Sequence, residues 1–161
     1  WGPMYGANLT DAPVIPEALS GDSLTVDGET LTLHGGVQGD DGHNTYVWIP
    51  SAKAVVAGDT LYSGVHVWTA ETKAANRTAW LATLDAIEKL KPELVIAGHK
   101  VPDAKDDVSA ITFTRDYLKA FDVAVKGSKT AAEALEKVKA KYPSAALDVI
   151  ARIGTEAQYA K

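Results

Sequence analysis

Two short apolar runs in this chain each end in a side chain able to hold a metal ion. Ala54-Val-Val-Ala-Gly-Asp59 delivers a carboxylate, and Leu94-Val-Ile-Ala-Gly-His99 delivers an imidazole. An apolar run that breaks at glycine reads as a buried strand running into a turn. If both strands lie in one sheet, the carboxylate and the imidazole meet at the edge where open α/β sheets carry their chemistry. Asp59 has two oxygens with which to bridge two hard or borderline cations, and His99 offers a neutral ring nitrogen. Taken singly, a strand-terminal Gly-Asp is a turn or helix cap and a Gly-His is a turn histidine. The argument for a site rests on the pair, with one helix between them. Asp40, Asp41, His43 and His66 are the remaining candidates, whereas His34 ends a strand and carries no functional reading.

The composition limits what such a site can be. With 161 residues, 46% of them hydrophobic, the chain can bury a core. A formal net charge of −5 and no basic stripe argue against nucleic acid as the main partner. There is no cysteine, so there is no thiolate site, and a metal would be held by His, Asp, Glu and water. No apolar run approaches the roughly 20 residues of a membrane span, so no membrane partner is expected. Met4 is the only methionine and Trp1 precedes it, from which a processed or truncated polypeptide is expected.

The elements that must position these residues follow from local pattern. Residues 1–17 are rich in Gly, Pro and Asn and read as an irregular lead with one short extended piece at Val14-Ile15. Ser23-Leu-Thr-Val26 and Thr30-Leu-Thr-Leu-His34 alternate around Asp27-Gly28, the signal for a β-hairpin. A polar loop, Gly35 to Asn44, leads to Thr45-Tyr-Val-Trp-Ile49, which stops at Pro50. The strand Lys53-Ala-Val-Val-Ala57 then completes a second hairpin, and its continuous apolarity predicts cover on both faces. A helix is expected from an N-cap at Thr69 to Lys91, with Trp80, Leu81, Leu84, Ile87 and Leu90 as its core stripe. Pro92 ends it. Strand, helix, strand predicts a right-handed crossover with both carboxyl ends at one edge. Beyond His99, Asp106-Asp107 caps a helix ending near Gly127, Thr130-Ala-Ala-Glu133 opens another that Pro143 stops, and Leu147, Ile150 and Ile153 mark a third.

With this order in place, Thr45-Tyr-Val-Trp-Ile-Pro, Ala54-Val-Val-Ala-Gly-Asp59, the loop Leu61-Tyr-Ser-Gly-Val-His66-Val-Trp68, a helix and Leu94-Val-Ile-Ala-Gly-His99-Lys100 resemble the second half of the metallo-β-lactamase superfamily. The resemblance covers residues 20–103. It implies an α/β fold, the second half of a four-layered αββα sandwich, with residues 1–103 forming the carboxyl-terminal half of that domain. Residues 104–161 would be a helical extension that packs on the same domain, acts as a lid or forms an oligomer surface. It also implies two zinc ions, with Asp59 as the bridging ligand and His99 as the last histidine ligand.

Two departures qualify the match. The family's His-X-His-X-Asp-His motif occurs nowhere in the chain, whose histidines are 34, 43, 66 and 99, so a complete dinuclear site cannot be built. The family's middle histidine ligand aligns near Asp40, while the histidine present is His43; either is a candidate third ligand. In the relatives the loop after the bridging aspartate runs beside substrate, which makes His66, Trp68 and Tyr62 candidate substrate contacts, Tyr62 as a donor to a developing oxyanion. The implied activity is metal-assisted hydrolysis of a small ester, lactone, thioester or β-lactam, with this chain inactive by itself. Its expected partner is the missing amino-terminal half or a second copy of the chain. A non-catalytic binding or scaffold module that keeps the half-fold is the alternative.

Overall fold

The computed structural model describes residues 2–160; Trp1, on which the expectation of a processed start rests, lies outside them. The lead contains one helical turn, α1 (Gly2–Tyr5), and a short 3-10 turn, with no strand at Val14 or Ile15, both of which are exposed. Burying neither side chain gives an extended piece nothing to hold it.

Strands β1 (Ser23–Val26) and β2 (Glu29–Val37) form the expected hairpin. Asp27 and Gly28 take φ of 51° and 86°, the left-handed pair that suits the twist of a two-residue turn. The second strand runs further than its alternation suggests, through a bulge between Gly35 and Val37. β3 (Asn44–Ile49) pairs antiparallel with β2 and with β4 (Ala54–Val56), and β4 pairs in parallel with β6 (Leu94–Ile96). The sheet order is therefore β1-β2-β3-β4-β6. Beyond their carboxyl ends, β4 and β6 continue into a second small parallel pair, β5 (Tyr62–Ser63) with β7 (His99–Lys100).

The crossover helix is α2 (Ala74–Lys89), which starts five residues later than its sequence signal. Thr69 caps no helix. Its carbonyl accepts the Thr72 N–H and Oγ1 in a tight turn, and a buried Arg77 reaches back to the Thr72 carbonyl. Trp80, Leu84 and Ile87 are buried as the stripe predicts, against Val55, Leu61 and Val95. α3 (Ser109–Lys126) begins where Asp107 Oδ1 accepts the Ser109 N–H and ends at Gly127. α4 (Ala131–Lys141) is capped by Thr130 Oγ1, while Glu133 reaches back to the N–H of Lys129. α5 (Asp148–Tyr159) lays Gly154 against Thr69, so closely that a Cβ there would collide with the threonine hydroxyl. Among the described residues no helix is long and apolar enough to cross a membrane.

The helices cover one face of the sheet. Strand register puts Leu24, Leu31, Leu33, Val47, Ile49, Val56, Leu94 and Ile96 together on the other face. Leu24, Val56 and Leu94 are 44%, 38% and 40% exposed. The two-sided cover expected of residues 53–57 is thus incomplete within this chain: Val55 is fully buried and Ala54 nearly so, while Val56, on the same face as Ala54, is open. An apolar face spanning five strands is much larger than the scattered exposed residues of an ordinary monomer surface.

Candidate metal centre

The parallel β4–β6 pairing carries both runs to the same edge, as their sequences suggest. Asp59 sits in the 3-10 turn Gly58–Thr60 that follows β4, and His99 opens β7. The Gly98 N–H donates to the carbonyls of Gly58 and Leu61 at 3.0 and 3.2 Å, so the two turns are stitched together. His99 Nε2 consequently lies 2.9 Å from Asp59 Oδ1, with both side chains about half exposed. A Cβ on Gly98 would overlap the Gly58 carbonyl, a backbone group that cannot rotate away. Gly98→Ala is expected to cost about 1–3 kcal/mol through forced separation of the two turns, read as a lower urea midpoint. An unchanged midpoint would show that the turns part without strain.

Tyr62 is the hinge between these donors and the loop before β3. Its ring stacks on His99, centroids 5.0 Å apart and 22° from parallel. Its hydroxyl donates to Asp40 Oδ2 at 3.3 Å. Burial, reinforced by the charges of Asp40 and Asp59, pushes the Tyr62 hydroxyl far above the ordinary phenol range, so it stays a proton donor. Asp40 is also held by Asn44 Nδ2 at 2.9 Å. Burial raises its carboxyl pKa most, and the charges of Asp59 and then Asp41 raise it further. The structure therefore brings Asp59 and His99 together and links Asp40 to that pair only through Tyr62. His43 is exposed, placed by its backbone N–H on Asp41 Oδ1 at 2.6 Å, and Asp41 serves that turn.

Two residues that position the site carry no sequence signal as such. Thr114 of α3 accepts the Tyr62 N–H at 2.9 Å and donates to the Tyr62 carbonyl at 3.0 Å, clamping β5 from 52 positions away. Trp80 Nε1 donates to the Thr60 carbonyl at 2.9 Å, tying α2 to the turn that bears Asp59.

His66 lies elsewhere than expected. Its backbone N–H donates to the Ala146 carbonyl, and Val65 bridges Ala146, which draws the loop under the segment before α5. The ring is 1% exposed, with Nδ1 2.9 Å from the Tyr117 hydroxyl and Nε2 3.4 Å from Asp148 Oδ1, a contact without hydrogen-bond geometry. It is a core histidine instead of a group at a pocket rim. Trp68, on the same loop, packs half-buried against the core, and its backbone lies near the Tyr62 hydroxyl. His34 is stacked on Tyr46 within β2.

Burial lowers the His66 pKa, and the solvated Asp148 carboxylate only partly opposes it. The unfolded chain thus takes up a proton that the folded chain resists. The stability from the neutral ring is full above about pH 6.5 and is lost as pH falls towards the depressed folded value. Urea melts at pH 7.5 and 5.5 should show a larger loss for the wild type than for His66→Gln. Equal losses would remove His66 from the account.

Among the described residues, no three His, Cys, Asp or Glu converge well enough to hold an ion. The donors present fit part of a metal site, two of them facing each other, and do not complete one.

The metallo-beta-lactamase superfamily profile matches residues 3–99. The chain belongs to that superfamily. Its fold is similar to a metallo-beta-lactamase family protein of Thermus thermophilus, TTHA1429, with a TM-score of 0.61 and 23% identity over 91% of this chain and 48% of that one. A weaker likeness, TM-score 0.49 at 22% identity, covers 63% of this chain and 47% of the DIM-1 metallo-beta-lactamase. No curated protein gave a sequence match. The mixed α/β arrangement of sheet and helices is that of the Thermus metallo-beta-lactamase family protein, and the chain spans about half the length of these superfamily structures.

Proposed function

We propose that this chain contributes the carboxyl-terminal donors of a zinc-dependent hydrolase acting on a small ester, lactone, thioester or β-lactam. The observation that carries the reading is the meeting of Asp59 and His99, 2.9 Å apart at the carboxyl ends of two parallel strands. Asp59 would be the bridging ligand and His99 a ligand to one ion. Asp40 is the third donor in preference to His43, because it shares the Tyr62 hydroxyl and feels the charge of Asp59. Zinc, when bound, supplies a water acidic enough to ionise near neutral pH and polarises the scissile group. Tyr62, buried and donating its one hydroxyl proton to Asp40, positions that carboxylate instead of meeting substrate; Trp68, half-buried on the same loop, is the substrate contact.

The remaining donors come from a second, amino-terminal half whose sheet covers the apolar face of β1-β2-β3-β4-β6. Its exposed Leu24, Val56 and Leu94 have the chemistry of an internal sheet-on-sheet contact. The test is to produce this chain together with an amino-terminal metallo-β-lactamase half carrying His-X-His-X-Asp-His, count zinc and assay a panel of small esters, lactones, thioesters and β-lactams. About two zinc ions per complex and turnover of one class are expected; a metal-free, inactive complex would sink the proposal. The same apolar face supports the alternative of a binding or scaffold module that pairs with its own copy. Light scattering separates the two: a stable, metal-free dimer of the chain favours the scaffold, and a monomer excludes it.

A further inference from the structure

Between α3 and α4 lies an open groove of about 640 Å3, within the usual range for small-molecule sites. Its floor is Phe113, Ala120 and Val123 of α3 together with Tyr142 just beyond α4. On α3 these residues recur at helical spacing on the flank away from Thr114, which grips β5. Val123 is 74% exposed, so α4 leaves this stripe uncovered.

The charge around the floor runs against that of the molecule. A chain with a formal net charge of −5 presents three lysines here, Lys119, Lys137 and Lys141, against one acidic residue, Asp116. Lys137 Nζ is engaged by the Gly127 carbonyl at one end. Among the described residues Lys119 and Lys141 form no ion pair, like most lysines of the chain, so both are free to meet a ligand at the groove. Asp116 lies towards Tyr142, whose hydroxyl pKa it raises after burial. Two unpaired ammonium groups on flexible apolar stems therefore flank an aromatic and aliphatic floor.

We propose that this groove binds a small amphiphilic monoanion, an alkyl chain ending in one carboxylate. The chain lies along Phe113, Ala120 and Val123, and the carboxylate pairs with Lys119 or Lys141. A neutral apolar ligand would leave the unpaired lysines unused, and a cationic one would be repelled by them.

Calorimetric titration of the 161-residue chain with decanoate below its micelle concentration tests this, with decyltrimethylammonium as the matched cation. Saturable one-to-one binding of decanoate, at least tenfold tighter than the cation, is expected. Ala120→Trp, which fills the floor, should abolish it, with circular dichroism reporting that the helices persist. The double variant Lys119→Glu and Lys141→Glu leaves the floor intact and should reverse the charge preference; it decides the matter if Ala120→Trp fails to fold. Absence of saturable binding, equal affinity for both charges, or wild-type binding by the double variant overturns the proposal. So does self-association of the chain that Ala120→Trp blocks, because the groove would then be an interface between copies.

Discussion

Replacing Asp59 by asparagine is expected to lower the hydrolytic activity of the complete domain by more than about 100-fold and to reduce its zinc content from about two ions towards one. Outer-shell partners of metal ligands already cost about 10–100-fold when removed, and in the proposed site the Asp59 carboxylate would touch both ions directly. Asparagine keeps the size of the side chain and one oxygen, so the turn Gly58–Thr60 should survive; the stitches from Gly98 are to backbone carbonyls and do not use the carboxylate. What is lost is the charge and the second oxygen, along with the close carboxylate–imidazole contact to His99. Metal counting alongside initial rates separates the causes. Full zinc with full activity would remove Asp59 from the bridging role, and loss of both with an unchanged melting curve would support it.

Trp80→Ala should produce the largest loss of stability, about 3–5 kcal/mol, because a fully buried indole leaves a large cavity. In a chain of this size the loss corresponds to a fall in Tm on the order of 10 °C. The effect reaches beyond volume. Trp80 packs edge-on against Tyr62, centroids 6.1 Å apart at 61°, and its N–H satisfies the Thr60 carbonyl next to Asp59. Trp80→Phe restores much of the packing but not the donor, and should fall between the two. Urea unfolding of the three proteins gives the comparison, and a loss under about 1 kcal/mol for Trp80→Ala would mean that the core closes over the gap.

These expectations depend on unequal shares of local and long-range information. The first hairpin is readable because Asp27 and Gly28 are chemically suited to positive φ, and the turn they make needs nothing else. Thr130 marks a helix start for a similar reason, because a side-chain acceptor acts within one turn of chain, whereas Gly127 ends α3 at a φ of −89° that any residue adopts. The start of α2 misleads because Thr69, a good N-cap in isolation, is claimed by α5, where Gln158 and Gly154 pack on it. His66 misleads likewise. Its position after Asp59 suggests a rim residue, yet the backbone bridge to Ala146 turns its ring towards Tyr117.

The sequence by itself determined the two strand ends and their chemistry. An apolar run that must be buried, a glycine that must turn and a single metal-competent side chain leave little freedom in where Asp59 and His99 emerge, and their order with the intervening helix identified the superfamily. Only the tertiary structure decided which further groups join them. Asp40 meets the site through the Tyr62 hydroxyl, 22 residues away, and Tyr62 is held there by Thr114, 52 residues away. The same holds for the open apolar face, which needs the register of five strands before its residues align. Local signals act through backbone conformation over a few residues, whereas a site is a set of distances between distant segments, and those distances exist only once the sheet and helices have packed.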